Sequence, residues 1–376
     1  MMVKYMKKQF LYKIFFVTAI LTFGACNDPI FYTISLEEKK LEPRIKGSPT
    51  NFVAFNNNMY VASGTEVYRY EGTNPGTGRG IWEETKPGGG NIFALAATDK
   101  LYALCAGSSN KKVLMVSNEG RFWSKVNELG NDIIINTIYA ANNKLFIGAG
   151  GIGKYYILNG NDFTTKLIDT ENKMLNGAAY HNGIYYLSTK DLITDNGGGI
   201  YSIEESALST EASARLLRNG SFIGIINTGN AVLTITRNGT LHTVTPNSVD
   251  QVSGVSMGNR LATGALAVWE NNGNRLLLAG RQDSIGTTIT TGYSHGYIEA
   301  GIDINGAITG NFDEPGKNDL STINKGDNER YRSSIGNYSI NHIFQAGDGT
   351  LFASTQKDGV WSYRDRSKGW SWNAEN

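Results

Sequence analysis

Cysteine is almost missing from this chain of 376 residues, which holds only Cys26 and Cys105. Two cysteines cannot knit a disulfide framework, so a packed core must hold the fold. Charge of one sign is missing too: 35 Lys and Arg face 34 Asp and Glu. Nucleic-acid binding needs clustered basic residues that displace counterions, and this near-neutral balance gives no such footprint. Histidine is scarce. His181, His242, His295 and His342 stand far apart without metal-ligand spacing, and each reads as a surface or turn residue. Beyond residue 25 no apolar run is long enough to span a bilayer. No sustained helical periodicity follows either. The pattern therefore excludes a helical domain and implies no cofactor or metal.

The N-terminus is different. Residues 1–25 carry Lys4, Lys7, Lys8 and Lys13 and no acid, then the apolar stretch Ile14–Leu21. That stretch is short for a spanning helix of about 20 residues. An uncleaved anchor helix is the competing reading. Leu21-Thr22-Phe23-Gly24-Ala25-Cys26 resembles the cleavage box of bacterial lipoproteins. Phe23 stands where leucine is usual, and the looser pattern is similar to that of spirochaete lipoproteins. The resemblance implies that residues 1–25 are a signal peptide and Cys26 is lipidated. The protein would then be exported and held on the outer membrane or the periplasmic face of the inner membrane. Acyl chains anchor by burying methylenes, about 0.8 kcal/mol each, and stable attachment takes more than one chain. Without the leader the chain has 31 basic and 34 acidic residues. With Cys26 lipidated, Cys105 has no partner within the chain. Its setting, Leu101–Gly107, is an apolar strand-like run where a thiol acts as a small hydrophobe.

The body repeats. A polar turn, then an apolar and often aromatic residue, then small residues recur at positions 59, 101, 145, 184, 232, 276 and 351. The spacings are 42, 44, 39, 48, 44 and 75 residues. A short apolar strand precedes most copies, as in Phe52–Phe55 and Ile92–Leu95. An alternating strand follows, as in Val67–Tyr70 and Val113–Val116. A fourth segment carries Trp82, Trp123, Phe163 or Trp370. Period-2 alternation and Gly/Asn turns make these four strands per unit. Units of about 40–45 residues have the length of one propeller blade. Seven copies predict an all-β seven-bladed β-propeller of four-stranded antiparallel blades over residues 49–376, with a β-sandwich pair or β-helix as alternatives. The aromatics would fill the wedges between blades, and the small residues would suit a crowded strand near the axis.

Residues 26–48 read as a lipidated cysteine and tether, whose last part would be an entry strand that completes the last blade. Residues 309–336 read as a polar loop insertion, or as a divergent extra blade. Asp195–Gly199 and Asp348-Gly349 are explained by turn chemistry, without a calcium loop. Gly150–Gly153 has no helix after it and is no nucleotide loop.

Val116-Ser117-Asn118-Glu119-Gly120-Arg121-Phe122-Trp123 resembles the Asp-box hairpin of sialidase-like propellers. Gly120 and Trp123 match that motif, Asn118 stands for its aspartate and Val116 replaces its serine. The resemblance implies a structural turn in which Asn118 and Gly120 shape the hairpin and Trp123 packs between strands. Sialidase chemistry would need three arginines, a tyrosine–glutamate pair and an acid. Arg44-Ile45-Lys46 is the nearest match to that family's Arg-Ile-Pro element and lacks the proline. The residues therefore favour a non-enzymatic binding or scaffold propeller with an envelope or host protein partner, and no catalytic residues. A glycan-binding or glycoside-hydrolysing propeller is the alternative.

Overall fold

The computed structural model describes residues 45–376 apart from 109–110, 127–133, 150–153, 160–161, 168–172, 192–196, 210–212, 258–259, 272, 284–295, 314–334, 336–337, 367–368 and 376. Cys26, residues 1–44, Gly150–Gly153, His295 and most of the 309–336 segment lie outside the described residues.

Strands follow one another in chain order as seven antiparallel sheets. Blade one holds β1 (Val53–Phe55), β2 (Asn58–Ser63), β3 (Glu66–Thr73) and β4 (Gly80–Thr85). Blade two holds β5 (Ile92–Ala97), β6 (Leu101–Ala106), β7 (Lys112–Ser117) and β8 (Ser124–Lys125). Blade three holds β9 (Ile135–Ala141), β10 (Lys144–Ala149), β11 (Lys154–Asn159) and β12 (Asp162–Leu167). Blade four holds β13 (Lys173–His181), β14 (Ile184–Asp191), β15 (Gly198–Glu204) and β16 (Arg215–Asn219). Blade five holds β17 (Phe222–Asn227), β18 (Val232–Thr236), β19 (Thr240–Val244) and β20 (Val249–Ser256). Blade six holds β21 (Arg260–Asn271), β22 (Asn274–Asp283) and β23 (Tyr297–Gly301). Blade seven holds β24 (Ile340–Gln345), β25 (Leu351–Thr355), β26 (Val360–Arg366) and β27 (Gly369–Ala374). The chain is thus an all-β seven-bladed propeller.

Blade six has no named fourth strand. A single antiparallel bridge, Glu299 to Asp313, takes that place, with Phe312 buried beside it. The start of the expected 309–336 insertion is therefore blade structure rather than loop.

Packing explains the continuous apolar runs at the repeat positions. Alternate side chains of a strand point to opposite faces, and here both faces are covered. Met59 and Val61 of β2 pack toward blade seven, whereas Tyr60 and Ala62 pack toward blade two. Seven hydrophobic clusters result, one in each gap between neighbouring blades. Burying one such aliphatic or aromatic side chain stabilises by about 1.5–3 kcal/mol. The aromatics do fill these wedges: Tyr70 and Trp82 of blade one meet Phe352 of blade seven, with centroids 4.9 and 5.6 Å away. Between the first two strands of blades one and three, Asn56-Asn57 and Asn142-Asn143 take φ of +47° and +60°, and +41° and +59°. These left-handed pairs match hairpin turns whose twist suits the strands.

Among the described residues blade seven has four strands of its own, and the expected entry strand falls largely outside them. Each blade is built from consecutive strands, and Ile45 packs as irregular chain between blades seven and one. The Gly359 amide donates to Gly47 O at 2.9 Å. Glu375, 1% exposed, does most of the joining. Its carboxylate accepts from the Gly80 amide at 2.8 Å and the Trp82 indole at 3.2 Å in blade one. It also accepts from Ser362 and Arg364 in blade seven. The Tyr70 hydroxyl adds a bond to Asp348 at 2.8 Å.

Candidate ligand-binding channel

From blade one to blade seven the first strand of each blade contacts the first strand of the next, and Phe52 just before β1 joins His342 of β24, so these seven strands stand innermost. They surround a cavity of about 770 Å³ to which every one of them contributes. That volume lies within the range of small-molecule sites. The strand of the repeat pattern is second from the axis, and the smallest residues near the axis sit on the inner strands instead. At Gly224 a Cβ would come within 2.5 Å of the Gly264 carbonyl, so the fifth and sixth inner strands approach as only glycine allows.

An asparagine recurs on or just before the inner strand in blades one, two, three, four and seven, as Asn51, Asn91, Asn136, Asn176 and Asn341, and all but Asn91 line the cavity. Their repetition was a readable signal that the strand pattern alone overlooked. Three of them stitch blades together. Asn51 donates to Leu95 O at 2.8 Å and accepts from the Leu95 amide at 3.0 Å. Asn176 donates to Phe222 O at 3.2 Å, and Asn341 to Pro49 O at 3.5 Å. Each donated bond uses the amide nitrogen. The Asn136 side chain has no partner among the described residues.

Among the described residues no lysine, arginine, aspartate or glutamate lines the cavity. Its most exposed large apolar side chain is Phe93 of β5, 50% exposed. Beside that ring sits Lys112 of β7, whose Nζ lies 4.5 Å from the centroid and donates to Asn136 O at 2.8 Å. Such an ammonium–ring contact is attractive through the ring quadrupole. Burial, and then repulsion from Lys190 of β14, hold the Lys112 ammonium below the usual lysine range.

His342 of β24 also faces the cavity. Its Nδ1 accepts the Phe52 amide at 3.2 Å, which fixes the neutral tautomer protonated on Nε2. Burial pushes its pKa down to about 4. His242, buried in β19 edge-on to Phe222, is held below the usual range by burial and then by Arg218. Both histidines lie on strands, His242 buried and His342 half-buried on the channel wall, which corrects the expectation of surface or turn positions.

Among the described residues no cluster of histidine, cysteine, aspartate and glutamate suits a metal. The Asp-box-like segment turns between β7 and β8, far out in blade two. Gly120 has φ +78°, and its amide donates to Ser117 Oγ at 2.8 Å. The Asn118 side chain is exposed. Trp123 donates to Thr85 Oγ1 of blade one at 3.2 Å. The hairpin thus tethers two blades and brings no residue to the channel. Cys105 is buried in β6, and burial pushes its thiol up to about 11. No helix of the described residues is long and apolar enough to cross a membrane.

No family model matches the chain, and neither does any curated protein. Solved structures share its fold. The extracellular domain of the putative hybrid two-component system BT4673 from B. thetaiotaomicron aligns with a TM-score of 0.53 at 15% identity, over 86% of this chain. Only 38% of that longer chain is covered. The WD40 β-propeller domain of Doa1 aligns with a TM-score of 0.53 at 8% identity, over 86% of this chain and 95% of its own. These likenesses define the class, a seven-bladed propeller with relatives of fold among bacterial extracellular domains.

Proposed function

We propose that this protein is a lipid-anchored cell-envelope propeller that binds a partner or ligand rather than transforming one. The carrying observation is the channel, a cavity of about 770 Å³ lined by neutral amides and small apolar residues with one half-exposed aromatic. Amides and an exposed ring recognise molecules. The cleavage-box resemblance at Cys26 and the likeness in fold to a bacterial extracellular domain support the location. A photo-reactive amino acid at position 93 in intact cells tests this reading. It should give one adduct well above that of a control placed on the exposed turn at Asn57. Absence of any adduct above the control would overturn it. Replacing Cys26 by serine should abolish acyl labelling and release the protein from membranes.

A second reading, glycan binding, is favoured by the Phe93 ring and the Asn136 amide, which line the same cavity and are bridged by Lys112. Stacking on a ring and bonding to amides are how saccharides are held. The hydrolytic form of that reading gains no carboxylate from the described residues of the channel lining.

A further inference from the structure

The channel is neutral, but its rim beside Phe93 is not. Lys112 of blade two reaches across to the Asn136 carbonyl of blade three, and Lys190 of blade four is near enough to repel its ammonium. Among the described residues neither lysine has a carboxylate within ion-pair distance. Lys112 instead spends its bonds on a ring and on the Asn136 carbonyl. Among the described residues the half-buried Lys112 is left without a counter-charge, and the exposed Lys190 adds a second positive charge.

From this juxtaposition we infer that the channel takes an acidic saccharide, with a sugar ring stacked on Phe93, its hydroxyls on the asparagine amides, and its carboxylate or sulfate on the Lys112 ammonium. The inference rests on the glycan-binding reading and gives it a ligand class. Each part of the ligand answers a feature of the wall. Phe93 offers an aromatic face, half exposed, to the apolar side of a pyranose. The Asn136 amide offers a donor and an acceptor at once, as neighbouring hydroxyls require. Asn176 and Asn341 give their amide nitrogens to backbone carbonyls, so their oxygens remain to accept hydroxyl protons. An anionic group on the sugar relieves the lysine–lysine repulsion on binding. A volume of about 770 Å³ accommodates a short oligosaccharide rather than a folded protein.

The test is calorimetric titration of the full chain with tetrasaccharides. A galacturonate, a hyaluronan and a sulfated chondroitin fragment are compared with a neutral galactose tetrasaccharide. At least one acidic probe should bind, and at least tenfold more tightly than the neutral one. Its affinity should fall as salt rises, since exposed charge pairs are screened. Phe93→Ala and Lys112→Gln should each weaken it at least tenfold. Both side chains reach the surface, and an unchanged melting temperature would confirm that the variants fold. Lys190→Gln should weaken the acidic probe and leave the neutral one unaffected. Equal binding of acidic and neutral probes would overturn the inference. So would silence from all four at millimolar concentration, or full affinity in Phe93→Ala. If every saccharide is silent while the position-93 adduct is a protein, the acidic-saccharide inference falls and the partner-binding reading stands.

Discussion

At the scale of single residues, burial and hydrogen-bond supply set what a side chain does here. Cys105 has no exposed surface, and its thiol is pushed up to about 11, so almost no thiolate forms near neutral pH. Iodoacetamide at pH 8 should leave Cys105 unmodified in the folded protein and label it in denaturant, as peptide mass spectrometry would show. Labelling of the native state at the denatured rate would mean that β6 opens readily. His342 makes a pH-dependent seam. Its folded pKa, about 4, lies below the ordinary 6.5. The folded state therefore binds fewer protons between those values. Stability from this group is complete above about pH 6.5 and is lost as pH falls toward 4, where protonated Nδ1 no longer accepts the Phe52 amide. Denaturant titrations of His342→Gln should show a flatter slope than wild type in that window. An identical slope would assign the acid sensitivity elsewhere.

At the scale of elements, what was readable in the sequence was whatever repeats locally. β2, β6, β10, β14, β18, β22 and β25 announce themselves because burial on both faces demands an unbroken apolar run between turn residues. The fourth strand of blade six was hidden, since Asp313 makes one bridge in a polar stretch with little apolar content. The ring closure was hidden for a different reason. Glu375 reads as a polar residue in a terminal stretch, and its partners Gly80 and Trp82 lie 295 and 293 positions away. In the fold it is a buried carboxylate facing Arg364, and removing one member of such a pair costs about 3–5 kcal/mol. Glu375→Ala should lower stability by that order, and Glu375→Gln by less, because an amide oxygen still accepts the indole and backbone protons. Equal stability of Glu375→Ala and wild type in denaturant melts would show that the seam does not depend on this carboxylate. The Asp-box-like hairpin tests a shorter reach. A Cβ at Gly120 would meet the Tyr60 hydroxyl at 2.4 Å, on a backbone of φ +78°. Strain and overpacking together should cost Gly120→Ala about 2–3 kcal/mol. A loss no larger than a few tenths would mean that the turn shifts freely against blade one.

At the scale of the whole molecule, no blade owns its core. Each hydrophobic cluster is shared by two blades, so the seven sheets stabilise one another around the ring. In an open repeat array, loss of an end unit exposes one face and the rest persists as a shorter solenoid. A ring has no end unit. Removing blade seven uncovers two faces at once: Leu278 and Tyr297 of blade six lose Trp372 and Tyr363, and Tyr70 and Trp82 of blade one lose Phe352. It also removes Glu375, His342 and Asp348, which carry the polar joints to blade one. The channel would open on that side, because one of its seven walls is β24. A chain ending at residue 313 should therefore show no cooperative thermal transition and should bind a dye specific for exposed apolar surface. Adding residues 335–376 as a separate polypeptide should restore both the transition and the channel if ring closure organises the fold. A cooperative melt of the shortened chain near the full-length temperature would show instead that six blades suffice, and that the seventh serves the channel alone.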